Sequence, residues 1–303
     1  MRKKPNLIIA GVTKGGTTSL FSYLSRHPEI CSSSIKETCY FLPLRYGNTI
    51  SSDNKYTEYF KHYRNEKYLL EATPGYFYGS KTIPQRIYEE LGKIKILIIF
   101  REPVSRLFSF YKAFKGRMVI PKEMSFEEYV NSCMDHMDVF KDSLVEKDTP
   151  YRGIREGFYS NYLEDWYRYF GDSLKIMFFE HLKDNPLLFM NRLCNWLEIN
   201  SSIYSSGEFP VENRSALYKN KFLHKAGIIA NRRLESFFRK LPKLKQILRE
   251  LYYFANESSF EDKILPDTHS HLKSLYIPYN KKLYDMLTEK DYKDMPNWLI
   301  QNT

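Results

Sequence analysis

The chain has 303 residues, of which 46 are Lys or Arg and 36 are Asp or Glu, for a formal charge of +10. At 43% hydrophobic and 16% aromatic it can bury a large core, which excludes a mainly disordered state. No apolar run reaches the roughly 18 residues that a membrane span needs. The four cysteines, Cys31, Cys39, Cys133 and Cys194, form no CxxC pair, which argues against a disulfide scaffold or a zinc site and fits a reducing compartment. The seven histidines make no HExxH-type set, so no catalytic metal is expected. The start, Met1 to Pro5, carries no signal-peptide pattern and no anchor, so a cytoplasmic location is the simpler expectation. Charge is unevenly spread. Residues 214–250 hold eleven Lys/Arg against two Glu, a net +9, and residues 121–150 hold a net −5. Such a basic segment favours an anionic partner or a membrane surface contacted peripherally, or is simply a solvated face.

In chain order, Asn6 to Val12 is a continuous apolar run ending at glycine, as in a strand buried on both faces. A helix follows over 17–26 and stops at His27-Pro28. A short strand is expected over 68–71, and a helix over 83–91 capped by Gly92. Lys95 to Phe100 reads as a second buried strand, and Pro103 as the first residue of a helix reaching about 114. The acidic 121–150 stretch has weak periodicity and reads as an insertion with short helices. An aromatic-rich helix over 156–170, a strand over 174–179 and a helix over 186–197 complete the alternation. Strands alternating with helices give an α/β fold with a central parallel sheet. Beyond residue 200 a helical, basic C-terminal part is expected, with helices near 223–240, 244–255 and 279–288. Leu234, Phe237, Phe238 and Leu241 would dock the first of these on the core and turn Arg232, Arg233, Arg239 and Lys240 outward. One domain over 1–303 is expected, with its motifs in 5–200.

Gly11-Val12-Thr13-Lys14-Gly15-Gly16-Thr17-Thr18 lies between strand and helix, where loop amides and the helix start favour a phosphate-like anion. The glycines are spaced as in the nucleotide P-loop GxxxxGK[ST], but Thr17 stands where that motif has lysine, and the lysine is Lys14. A second strand-to-helix loop carries Arg101 at the strand end and Ser109 eight residues on. An arginine there can fork onto a phosphate, or form a structural ion pair.

Together the two loops resemble the sulfotransferase family that uses 3′-phosphoadenosine 5′-phosphosulfate (PAPS), a P-loop-like fold. Lys14 to Leu20 is similar to its 5′-phosphosulfate loop, and Arg101 to Tyr111 to its 3′-phosphate site. Ile35 to Phe41, Leu70 to Phe77 and Gly157 to Trp166 resemble further segments of the heparan-sulfate, or carbohydrate, branch. The resemblance implies Glu37 as catalytic base and Lys14 as the cation beside the leaving nucleotide. It implies Lys14, Gly15, Gly16, Thr17, Thr18, Ser19, Arg101 and Ser109 as nucleotide-binding residues, with Arg214, Lys219 and Lys221 as candidates for a closing basic loop. No metal is implied. The implied reaction passes sulfonate to a hydroxyl or amine of a carbohydrate-type acceptor, itself anionic if the basic segment bears on it. Cys39 and Ala72 replace a histidine and a lysine common in that branch, which bears on the acceptor more than on PAPS. A P-loop kinase and a non-catalytic polyanion binder are the alternatives; no nucleic-acid module is present.

Overall fold

The computed structural model describes residues 3–50, 53–139, 150–204, 209–210, 217–234, 242–258 and 262–301. Five parallel strands form the central sheet: β1 (Leu7–Gly11), β2 (Ile30–Ser32), β3 (Tyr68–Ala72), β4 (Lys95–Phe100) and β5 (Leu174–Phe178), in the order β2-β3-β1-β4-β5. Every residue of β1 and β3 is buried, the pattern of strands covered on both faces. Alternation along β1 divides the core. Leu7 and Ile9 join Leu97, Ile99, Leu20 and Leu24 on one side. Ile8 and Ala10 join Ile96, Ile98, Phe77 and Trp166 on the other.

The first layer is covered by α1 (Thr17–Leu24), α7 (Phe179–Asp184) and α8 (Pro186–Leu197). Between them in the chain lie α2 (Asp53–Glu58), α3 (Thr82–Leu91), α4 (Pro103–Gly116), α5 (Phe126–Val139) and α6 (Ser160–Phe170). The second layer includes α3 and α6, where the Trp166 indole N–H donates to the Phe77 carbonyl at 3.1 Å. Local signals explain the helix starts. Pro103 opens α4 as expected, and the Glu102 carboxylate caps it, accepting from Val104 and Ser105 amides at 2.9 and 2.6 Å. Pro186 and the Asn185 side chain do the same for α8.

Five differences from the sequence reading have physical causes. The edge strand β2 is only three residues long, too short to show a period. The described part of the acidic segment is one 14-residue helix, α5, not several short ones, and it buries Phe126, Tyr129 and Cys133 against α4. The helix expected from 156 starts at Ser160, because Arg155–Gly157 makes a tight 3₁₀ turn that brings Gly157 against the Tyr276 ring. The following helices are α9 (Lys221–Arg233), α10 (Pro242–Asn256), α11 (Pro266–Thr288) and α12 (Asn297–Ile300), with β6 (Leu217–Tyr218) and β7 (Glu257–Ser258) pairing antiparallel. The last long helix was expected only from 279; α11 continues through Pro278 because Leu272 and Tyr276, one turn apart, are buried beside Phe158. Finally, α9 ends at Arg233 and Leu234 is exposed rather than docked; Phe237, Phe238, Arg239, Lys240 and Leu241 lie outside the described residues.

Candidate active site at the carboxyl edge of the sheet

β1 sits between β3 and β4, so the chain crosses to opposite sides of it after successive strands. The crevice beyond the carboxyl ends at such a reversal is the usual ligand site of an open parallel sheet. The loop after β1 folds down onto β4: the Val12 amide donates to the Ile99 carbonyl at 3.1 Å, and the Gly15 amide to the Val12 carbonyl at 2.9 Å. A Cβ at Gly15 would stand 2.5 Å from the Ile99 oxygen, so only glycine lets the loop lie this close. Gly16 has φ 88°, the left-handed conformation that turns the chain into α1. Thr17 is buried, and Thr18 and Ser19 are half-buried on the first turn, whose amides have no acceptor within a helix.

Arg101 leaves the end of β4 and ties the two loops together. Its Nη1 donates to the Lys14 carbonyl at 3.1 Å, and its guanidinium lies over the Phe179 ring at 4.4 Å. Tyr159, from the Gly157–Trp166 segment, stacks on Phe100 and donates its hydroxyl to the Arg101 carbonyl at 2.8 Å. Burial pulls the Arg101 guanidinium below its ordinary pKa. Ser109 is half-buried on α4, one turn before Lys112. Lys112 is itself pulled down by burial and by Arg101.

Lys14, half-buried in a left-handed conformation with φ 68°, is held by Arg101 through its carbonyl. Burial and then Arg117, Arg101 and Lys112 lower its pKa to about 8, against a raising effect from Glu37. Glu37 comes from the other side of β1. Its amide donates to the Ala72 carbonyl at 2.9 Å, and the Cys39 amide to Thr73 Oγ1 at 3.3 Å, which fastens the 35–41 turn to the end of β3. Partial burial opposes ionisation of Glu37, but Lys36, Arg117 and Lys14 outweigh it and hold the carboxyl below its ordinary value. A strand geometry would turn Lys36 away from Glu37. Instead, φ of 61° at Glu37 breaks the extended path, and Lys36 Nζ meets Glu37 Oε1 at 2.5 Å. Glu37 remains 52% exposed, against 13% for Lys36, so the carboxylate is open to a second partner.

Beneath the turn lies a buried carboxylate absent from the sequence-based site. Glu71 on β3 accepts from Thr38 Oγ1 at 2.9 Å, Thr73 Oγ1 at 2.5 Å and the Tyr56 hydroxyl at 3.0 Å. Burial raises its pKa. Its signal in the sequence is a charge inside an otherwise apolar strand. Arg117, just past the end of α4, and Lys112 also join the site. Lys112 could have been found from its three-residue spacing to Ser109 on one helix face. Lys219 and Lys221 are exposed at the β6–α9 junction, and Arg214 lies outside the described residues.

A glycine loop leading into a helix, two linked strand ends and a group of cations at the carboxyl edge of a parallel sheet place the chain in the α/β, P-loop-like class. The sulfotransferase domain family matches residues 4–240, and the chain belongs to that family. It is 36% identical over 135 residues, 43% of its length, to membrane-associated sulfotransferase kil1 of Dictyostelium discoideum, covering 28% of that protein. It is 29% identical over 178 residues, 56% of its length, to heparan sulfate glucosamine 3-O-sulfotransferase 5 of Mus musculus, covering 46% of it. The chain thus spans less than half the length of these curated relatives. The crystal structure of a sulfotransferase from Alicyclobacillus acidocaldarius shares the fold, with a TM-score of 0.69, 21% identity and coverage of 98% of this chain and 99% of that one. Among the described residues no cluster of three His, Cys, Asp or Glu could hold a metal ion, and no helix is long and apolar enough to cross a membrane.

Proposed function

We propose that the protein transfers the sulfonate of PAPS to a hydroxyl of a carbohydrate-type acceptor, or to an amine, by in-line displacement. The observation that carries this reading is the placement of Lys14, on the glycine loop tied to Arg101, and of Glu37, on the turn fastened to the end of β3, at the carboxyl edge on either side of β1. Family membership and the heparan-sulfate names of several relatives support the acceptor class. The donor set fits the nucleotide. The close glycine loop, the start of α1 and Ser19 would hold the 5′-phosphate; Arg101 and Ser109 would hold the 3′-phosphate, with Arg214, Lys219 and Lys221 as further candidates. PAPS supplies an activated sulfonate on a phosphate leaving group. Glu37, ionised at neutral pH, takes the acceptor proton as the new S–O or S–N bond forms. The electron pair of the broken bridging bond goes to the phosphate oxygen, where Lys14 neutralises the growing charge. Arg101, held by Lys14's own carbonyl and by Phe179, fixes the spacing of the two phosphate-binding loops.

The test has two parts. The bisphosphate product, 3′-phosphoadenosine 5′-phosphate, is expected to raise the melting temperature without metal and by more than ATP–Mg²⁺ does; an equal or larger effect of ATP–Mg²⁺ overturns the reading in favour of a kinase or NTPase. Glu37→Gln is expected to lower turnover about 10²–10⁴-fold while keeping that thermal shift. Full turnover in the variant removes Glu37 as base. Polyanion binding with no turnover on any acceptor, by the unaltered protein, leaves the non-catalytic alternative.

A further inference from the structure

We infer that the α9–α10 pair is a docking surface for an anionic lipid bilayer. The two helices already have an internal contact. His224 stacks on Tyr218 at 4.4 Å and donates from Nε2 to the Gly116 carbonyl, and Gly227 faces the Tyr252 ring. Away from that contact each helix carries an apolar stripe that the described core does not cover. On α9, Phe222, Ala226 and Ile229 recur at i, i+4 and i+7, all exposed. On α10, Ile247, Leu251 and Phe254 repeat the same spacing, again exposed. Phe222 and Phe254 are 85% and 90% exposed, the reverse of what phenylalanine does in a folded protein. Exposed apolar residues at helical spacing, set beside cations, mark a candidate interaction face.

The charge selects the partner. Residues 221–233 contain four Lys/Arg and no acidic residue, and exposed Lys225 and Arg233 lie on the same helix as Phe222. Apolar side chains between cations are what an interfacial helix presents to acyl chains and anionic headgroups. A soluble polyanion would use the cations but gain nothing from two exposed phenylalanines. A second copy of the chain, paired symmetrically on this face, would bring α9 against its own positive charge. The pair is also coupled to the site's edge: His224 meets the Gly116 carbonyl, next to Arg117, and Lys122 donates to the Tyr218 carbonyl at 3.2 Å.

The experiment is co-sedimentation of the full chain with vesicles of phosphatidylcholine alone, or of phosphatidylcholine mixed with phosphatidylserine, at low and high salt. Binding is expected only to the mixed vesicles, weaker at high salt. The doubly substituted Phe222→Ser, Phe254→Ser protein is expected to bind about tenfold or more weakly, as is Lys225→Glu, Arg233→Glu. Both substitutions change exposed residues, and an unchanged melting temperature and circular dichroism spectrum verify that the fold is kept. Three results overturn the inference: no binding to either vesicle; vesicle binding indifferent to loss of the phenylalanines; or a concentration-dependent dimer, lost in the phenylalanine variant, with no vesicle binding.

Discussion

The Lys36–Glu37 pair sets how the candidate base titrates. Lys36 is the largest of the influences holding the Glu37 carboxyl down against its partial burial. Replacing it, as Lys36→Met, leaves the burial and removes that cation, so the folded pKa rises. The acid limb of the pH–rate profile should therefore move to higher pH, and an unmoved limb would show that Lys36 does not poise the base. Lys14 gives the opposite sign. Its folded pKa of about 8 lies below the ordinary lysine value, so the ligand-free protein loses this charge as pH rises through about 8. Affinity for the bisphosphate should fall over the same range, with net proton uptake on binding measured by calorimetry in two buffers. Lys14→Ala should abolish the uptake. At this scale the sequence was legible in position: Lys14, Glu37 and Arg101 lie on the loops at the strand ends where its motifs put them. It was not legible at Arg117 or in the geometry of the Lys36–Glu37 pair. Glu37 and Cys39 both have positive φ, and neither residue type announces that conformation as glycine does.

The glycine loop after β1 behaves as an element whose position is fixed by what it rests on. Gly15 has Ile99 backbone and Val12 within contact of any added Cβ, and neither can move without disturbing β4 or the loop. Gly15→Ala should therefore lift the loop off the sheet, at a stability cost of about 1–3 kcal/mol. Bisphosphate binding should weaken by about tenfold or more, read by titration. Normal affinity in that variant would mean the loop's closeness to β4 is not what shapes the anion site. The elements the sequence revealed are those with strong local punctuation: β1 and β4 as unbroken apolar runs, α4 and α8 with proline starts. Those it concealed depend on distant partners. α5 has meaning only against α4, and the first half of α11 only against Phe158. Local periodicity carries no record of such contacts.

For the molecule as a whole, the C-terminal helices complete the core that begins at β1. Leu283 and Leu287 of α11 and Leu299 of α12 are fully buried with Ile96, Ile98 and Trp166. We propose that residues before and after 200 fold as one cooperative unit. Leu283→Ala should cost about 2–5 kcal/mol and lower a single melting transition that fluorescence and circular dichroism report together. Two separate transitions, with only one displaced, would divide the chain into independent parts.

The arrangement of the site about β1 has one more consequence. The groups proposed to hold the donor come from β1, β4 and α4, whereas Glu37 hangs on β3 through Ala72, Thr73 and the buried Glu71. β1 stands between these two supports in the sheet. Substitutions in the 35–41 turn are therefore expected to leave the glycine loop after β1 in place. On the proposed reaction, substitutions in that turn should change which acceptor is used and leave bisphosphate affinity unaltered, as a turnover panel beside a binding titration would read.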